Sequence, residues 1–206
     1  MFRLLLTGFS CALLLACASP APVPTEDALD ADATDSSATA IEVPERPFPD
    51  DSIYPLLLAE FALRRRAYDV ALEQYLEQAP RLRDAGVSEH TTHLAQFMGK
   101  EDTALASVQL WIELEPDNAE ANNTLAILLI RQGRATEAVP YMAKLASLGE
   151  DVNFPALLSG FNELGPSQRE SLLLGINQLA QDYPDDTQLL LTQAMVFAEQ
   201  EQLDPA

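Results

Sequence analysis

Between residues 119 and 148 the apolar positions recur with helical spacing. Leu125, Ala126 and Leu129 share one face of a first amphipathic segment, and Ala138, Tyr141, Met142 and Leu145 share one face of a second. Gly133 stands between them, where the left-handed backbone that ends a helix carries no Cβ penalty. The small side chains of Ala126 and Ala138 fall where the two helices must approach closely. One such hairpin cannot bury its own apolar face, so neighbours of the same kind are required. They are present: Ala71, Ala104, Ala138, Leu172 and Ala206 follow one another at steps of 33, 34, 34 and 34 residues. Two of the segments close in matching runs, EPDN at 115–118 and YPDD at 183–186. A coincidental apolar pattern would drift out of phase within one or two periods. The expectation is an all-α stack of about four and a half hairpins over residues 52–206.

The units differ in quality. Asp51-Ser52 reads as an N-cap before Ile53-Tyr54-Pro55, with Leu58, Ala59 and Ala62 buried on the first helix and Tyr68, Ala71, Tyr75 and Ala79 on the second. In the second unit Thr91 and Thr92 stand where a leucine and a small residue are expected. In the fourth, Phe154-Pro155 and Gly165-Pro166-Ser167 shorten the first helix, and Ser167 is the expected N-cap of a helix over 168–181. Residues 187–200 form another first helix, with Leu190, Leu191, Ala194 and Phe197 on or near a face that needs a partner. Leu203-Asp204-Pro205-Ala206 reads as the start of that partner, so the array is expected to be the N-terminal part of a longer one.

This pattern resembles a tetratricopeptide repeat. The small residue at the family's eighth position, the glycine at the turn and the alanine at its twentieth position all have counterparts here. The closing proline is clearest at Pro116, in LELEPDN. The resemblance implies a helical-hairpin solenoid that binds other proteins through the groove lined by its first helices.

Residues 1–17, MFRLLLTGFSCALLLAC, read as a targeting segment: Arg3 supplies the positive end, and Leu4 to Leu15 is an apolar core too short to span a bilayer. Its close, Leu14-Leu15-Ala16-Cys17, resembles the lipobox of bacterial lipoproteins. That resemblance implies cleavage before Cys17, leaving 1–16 as signal peptide, and lipid attachment to the Cys17 sulfur and new amino group. Both cysteines of the chain are then accounted for, because Cys11 lies in the removed segment. Ala18, rather than an aspartate, follows Cys17, which by family experience points to the outer membrane. Residues 18–50 hold six prolines, eight acidic residues and a single arginine, a composition that cannot offset the entropy of folding. They read as an extended disordered spacer reaching up to ~90 Å at ~3 Å per residue.

The net charge of −20 argues against nucleic acid, which needs a basic footprint, and keeps the chain soluble. Arg64-Arg65-Arg66 is the only basic cluster outside the leader. It reads either as cations at a helix C-terminus, favoured by the macrodipole, or as an anion contact at the mouth of the groove. His90 and His93 stand three apart beside Glu89, but no third ligand follows at a recognisable spacing, so no metal site is expected. There is no phosphate loop, nucleophile elbow or cysteine nucleophile, and repeat hairpins rarely form a pocket that separates two carboxylate pKa values. Neither catalysis nor a cofactor is expected.

What remains is the groove face. Its candidates are Glu60, Leu63 and Arg64 in the first unit, Glu89, His93 and Phe97 in the second, and Glu120, Asn123, Ile127 and Arg131 in the third. Polar side chains mixed with a few aromatic and aliphatic ones suit peptide or protein capture. Segments such as SIYPLLLAEFALRRRAYDVALEQY and DAGVSEHTTHLAQFMG further resemble the N-terminal part of long tetratricopeptide outer-membrane lipoproteins of pseudomonads and their relatives. That group includes the adaptor that presents cell-wall hydrolases to a periplasmic carboxyl-terminal processing protease. The resemblance implies a non-enzymatic scaffold on the periplasmic face of the outer membrane. A factor for assembling β-barrels or pili is the competing reading.

Overall fold

The computed structural model of the protein describes residues 48–203. Cys17, the leader, the spacer before residue 48 and the register position Ala206 lie outside them. Among the described residues the elements are α1 (Ile53–Arg64), α2 (Tyr68–Leu82), α3 (Ala85–Phe97), α4 (Glu101–Leu114), α5 (Ala119–Arg131) and α6 (Ala135–Ser147). Two short 3-10 segments follow, Phe154–Leu158 and Phe161–Glu163, then α7 (Pro166–Asp182) and α8 (Thr187–Leu203). The main contacts run between consecutive helices along the whole series. The protein is an all-α solenoid of stacked helical hairpins.

The register is visible in the core. Ala71, Ala104, Ala138 and Leu172 are each fully buried, as are Ala59, Thr92 and Ala126 on the first helices they meet. Seven residues after each alanine marker comes a second core position, filled by Trp111 in α4 and Leu145 in α6, and by Leu179 in α7. In α2 the same place holds Gln78, fully buried, with neither amide atom hydrogen-bonded. An orphaned buried polar group costs about 1–3 kcal/mol. Gln78→Leu, which keeps the volume and removes the orphan, should therefore raise unfolding stability by about that amount in urea titration. A loss of stability would show that the amide is satisfied in solution.

The turns inside the hairpins repeat as well. Gly99 and Gly133 adopt φ of +69° and +72° between the helices of the second and third units. In the first unit Arg66 takes that place, at φ +61°. A side chain in the left-handed region costs roughly 1–2 kcal/mol, part of which glycine gives back through its freer unfolded chain. Arg66→Gly should stabilise the protein by roughly 0.5–1 kcal/mol in the same assay, and an unchanged midpoint would contradict this strain.

Several helix starts differ from the sequence reading. Asp84 and Asn118 cap α3 and α5, each accepting a backbone N–H at 3.0 Å. Asp186 does the same for α8 at 2.8 and 2.9 Å. Ser52 occupies the N-cap of α1 but makes no capping bond, and its hydroxyl is buried without a partner. Ser167 is not the cap of α7. The helix begins at Pro166, whose fixed φ suits the first helical position, and Gly165 is the N-cap. The Gln168 side-chain oxygen reaches back to accept the Gly165 N–H at 3.1 Å.

Thr91 and Thr92 prove to be sound core residues. Both are fully buried, and their hydroxyls donate to the carbonyls of Val87 and Ser88 one turn earlier, at 2.6 and 2.8 Å. In the fourth unit no first α-helix forms. The 3-10 segments replace it, burying Phe154, Leu157, Leu158 and Phe161, and the first of them packs against α6 and α8. Arg169 of α7 pins this stretch, donating to the Asn162 carbonyl at 2.9 Å and lying 5.9 Å from the centre of the Phe161 ring. Helix α8 runs on through Leu203, so that residue does not open a partner helix; Glu201-Gln202-Leu203 contains no breaker before Pro205. The face singled out on α8 is exposed at Leu190, Leu191, Ala194 and Phe197, while Leu189, Thr192 and Val196 are buried.

Candidate functional site

Helices α1, α3 and α5 are the first helices of successive hairpins, and their sequences match at offsets of 33 and 34 residues. Glu60, His93 and Ile127 occupy one such position, and Arg64, Phe97 and Arg131 another. Each set recurs at the same angular place on its helix, as do Glu89 and Asn123, so eight of the ten candidates form rows across a shared face; Glu120 lies beside them, and Leu63 falls at the place where α5 buries Ile130.

The rows are joined by contacts between units. His93 Nε2 lies 3.2 Å from a Glu120 carboxylate oxygen, linking α3 to α5. The same imidazole packs edge-on against Trp111, ring centres 5.7 Å apart. Glu60 accepts a hydrogen bond from the Tyr75 hydroxyl. Burial, and then that hydrogen bond and the Glu60 charge, push the Tyr75 hydroxyl above its ordinary pKa, so it remains a neutral donor. Arg131 pairs with Glu101 at the start of α4, as Lys100 pairs with Asp69 at the start of α2, at 2.7 Å. In one case the end of a first helix and in the other the turn after it is tied to the acidic first turn of the preceding second helix, where negative charge is already favoured. Such exposed pairs are worth about 0–1 kcal/mol each, so they set register more than stability.

Phe97 is 70% exposed although its edge rests on Tyr68, with ring centres 5.1 Å apart. Ile127 is 43% exposed on the neighbouring helix. Glu60, Arg64, Glu120, Asn123 and Arg131 are exposed around them, while Glu89 and Leu63 are half-buried, Leu63 against the core. The face therefore offers two uncovered apolar side chains between groups whose charges are mostly held by neighbours. Arg64, by contrast, joins no ion pair among the described residues.

The two histidines do not converge. His90 packs edge-on against Tyr75 of α2, at 5.4 Å between centres, and His93 turns to Trp111 and Glu120. Among the described residues, no group of three or more His, Cys, Asp or Glu side chains is placed to hold a metal ion. An open cleft of about 420 Å³ between α7 and α8 is lined by Leu174, Asn177, Tyr183, Leu189 and Gln193, without an ionised group among its lining residues.

One support of the face went unread in the sequence, Trp111 beneath His93; Tyr75 is buried as the sequence indicated, and only its bond to Glu60 was not legible. The signal was present: Trp111 stands seven residues after Ala104, as Leu145 stands after Ala138.

Comparison with a known sequence agrees with the repeat architecture. No family model matches the chain. Over 173 residues it is 36% identical to the TPR repeat-containing protein PA4667 of Pseudomonas aeruginosa, a match covering 82% of this chain and 29% of that protein. The chain thus spans under a third of the length of that relative. Among solved structures it is similar to that of YrrB, described as a TPR protein with an unusual peptide-binding site. There the identity is 17%, with 70% of this chain and 76% of the other covered, at a TM-score of 0.43.

Proposed function

We propose that the chain is a non-enzymatic scaffold that binds other proteins through the shared face of α1, α3 and α5. The observation that carries this reading is the pair of exposed apolar side chains, Phe97 and Ile127, flanked by Glu120 and Arg131, which are engaged with neighbours. A partner covering Phe97 and Ile127 buries apolar area at a centre where few charges are free, Arg64 being one that it could pair, the arrangement found where binding energy concentrates. In the proposal the protein is anchored through lipid on Cys17 and held on the periplasmic side of the outer membrane by the acidic spacer. There it brings a carboxyl-terminal processing protease together with cell-wall hydrolases, as the resemblance to the pseudomonad lipoproteins implies.

The test is a cross-linked pull-down of the tagged, full-length protein from native membranes. Recovery of a processing protease supports the adaptor; recovery of β-barrel or pilus assembly subunits in its place supports an assembly factor. Anchoring is checked separately: Cys17→Ser should lose the lipid mass and leave the membrane fraction or accumulate as precursor. Identical lipid mass and fractionation for both forms would end the anchoring proposal.

A further inference from the structure

Helix α1 is apolar on both sides. Ala59 and Ala62 are buried against the rest of the array, yet Ile53, Tyr54, Leu57 and Phe61 are 54%, 75%, 52% and 59% exposed. At ~100° per residue, Ile53, Leu57, Phe61 and Arg64 fall within a ~80° sector, with Tyr54 and Arg65 on its flank. The positions of Tyr54, Leu57 and Phe61 recur as Val87, His90 and Leu94 in α3 and as Ala121, Thr124 and Leu128 in α5. In those helices the row faces the preceding second helix, which packs against it, and Leu94, Ala121, Thr124 and Leu128 are buried there. On α1 a surface of interior type is uncovered among the described residues.

The charge pattern selects its occupant. Arg64, Arg65 and Arg66 close the helix, while Asp50 and Asp51 lie on the turn that opens it. Asp51 is held by Arg81, but Asp50 and the three arginines join no ion pair among the described residues. We infer that a second copy of this chain docks on α1 in antiparallel fashion, with a two-fold axis at Leu57. In a two-fold interface residue i meets j and j meets i, so one end of the surface must complement the other. About Leu57 the sequence has that property. Leu57 meets its own copy, Ile53 meets Phe61, and Asp50 meets Arg64. Anionic lipid would satisfy the arginines but leave Asp50 facing like charge. An acidic partner helix would leave Asp50 unanswered in the same way.

Four large side chains per protomer make a contact smaller than the ~1,200 Å² typical of stable interfaces, so the dimer is weak and concentration-dependent. A shared membrane, on the anchoring proposed above, would raise the effective concentration. The dimer shares Arg64 with the α1–α3–α5 face, but self-linking at Leu57, which is not one of that face's candidates, reads it out whatever that face binds.

The first test uses the full chain with Cys11→Ser and Cys17→Ser. A residue on the axis meets itself, so adding Leu57→Cys should give a disulfide-linked dimer under mild oxidation, whereas adding Gln109→Cys or Phe197→Cys should not. The second is sedimentation of the chain with its natural residues 50 and 64, whose mass should climb toward twice 22.5 kDa at concentrations on the order of 100 µM. Arg64→Asp should weaken dimerisation about tenfold, and Asp50→Arg combined with Arg64→Asp should restore it. The inference is overturned by a monomer at all concentrations, by a charge swap that does not restore the dimer, or by Phe197→Cys linking as readily as Leu57→Cys. It is equally overturned if Leu57→Cys stays unlinked while the chain binds anionic vesicles in an Arg64-dependent manner.

Discussion

Trp111→Ala should destabilise the protein more than any other single truncation, by about 3–5 kcal/mol. Trp111 is the largest of the fully buried side chains, at 1% exposure, and it lies in α4, the helix of the second hairpin that packs on the third. Its indole N–H is kept satisfied by Glu115 at 3.2 Å, so the loss is one of packing. In an array each hairpin is supported mainly by its neighbours, so a cavity at this junction weakens the coupling between the two sides as well as the local core. The expected result is a fall in melting temperature of roughly 6–20 °C, followed by circular dichroism, with a broadened transition. A fall of under ~2 °C would mean that the register positions do not form one continuous core.

The second large effect concerns binding. Phe97→Ala and Ile127→Ala should each weaken capture of the partner about tenfold or more, because exposed apolar anchors carry a disproportionate share of interface energy. Their effect on folding should be small, since both side chains are substantially exposed. The pairing of intact melting with lost capture is the informative readout. Gln109→Ala, exposed on α4, should change neither. Equal losses at Gln109 and Phe97 would place the binding surface elsewhere.

Much of this fold is written in local spacing, and so is legible in the sequence. Ala71, Ala104, Ala138 and Leu172 keep one phase because each must sit at the same close approach, and Gly133 marks its turn because few residues accept that backbone. The positions that escaped were those where two solutions satisfy one physical demand. Thr91 and Thr92 look like polar interruptions, yet a hydroxyl that bonds the carbonyl one turn back can be buried at little cost. Arg66 holds a turn that glycine holds in the next two units. The 3-10 replacement in the fourth unit depends on tertiary packing of Phe154 and Leu157 between α6 and α8, and no local period encodes it. For the candidate face, the rows of residues followed from the repeat. Which of them are uncovered did not, because the pairing of His93 with Glu120 and of Arg131 with Glu101 reaches across units. The exposed row on α1 was hidden for the opposite reason: Tyr54, Leu57 and Phe61 have the composition of a buried face.

The central claim is that the shared face of α1, α3 and α5 is where this protein meets its partner. The most direct measurement places a photo-crosslinking amino acid at position 97, and in a separate protein at position 109, and irradiates both in native membranes. The account predicts a discrete adduct from position 97, lost when Ile127→Ala is added, and none from position 109. Adducts of the same partner from both positions, or from 109 alone, would contradict it.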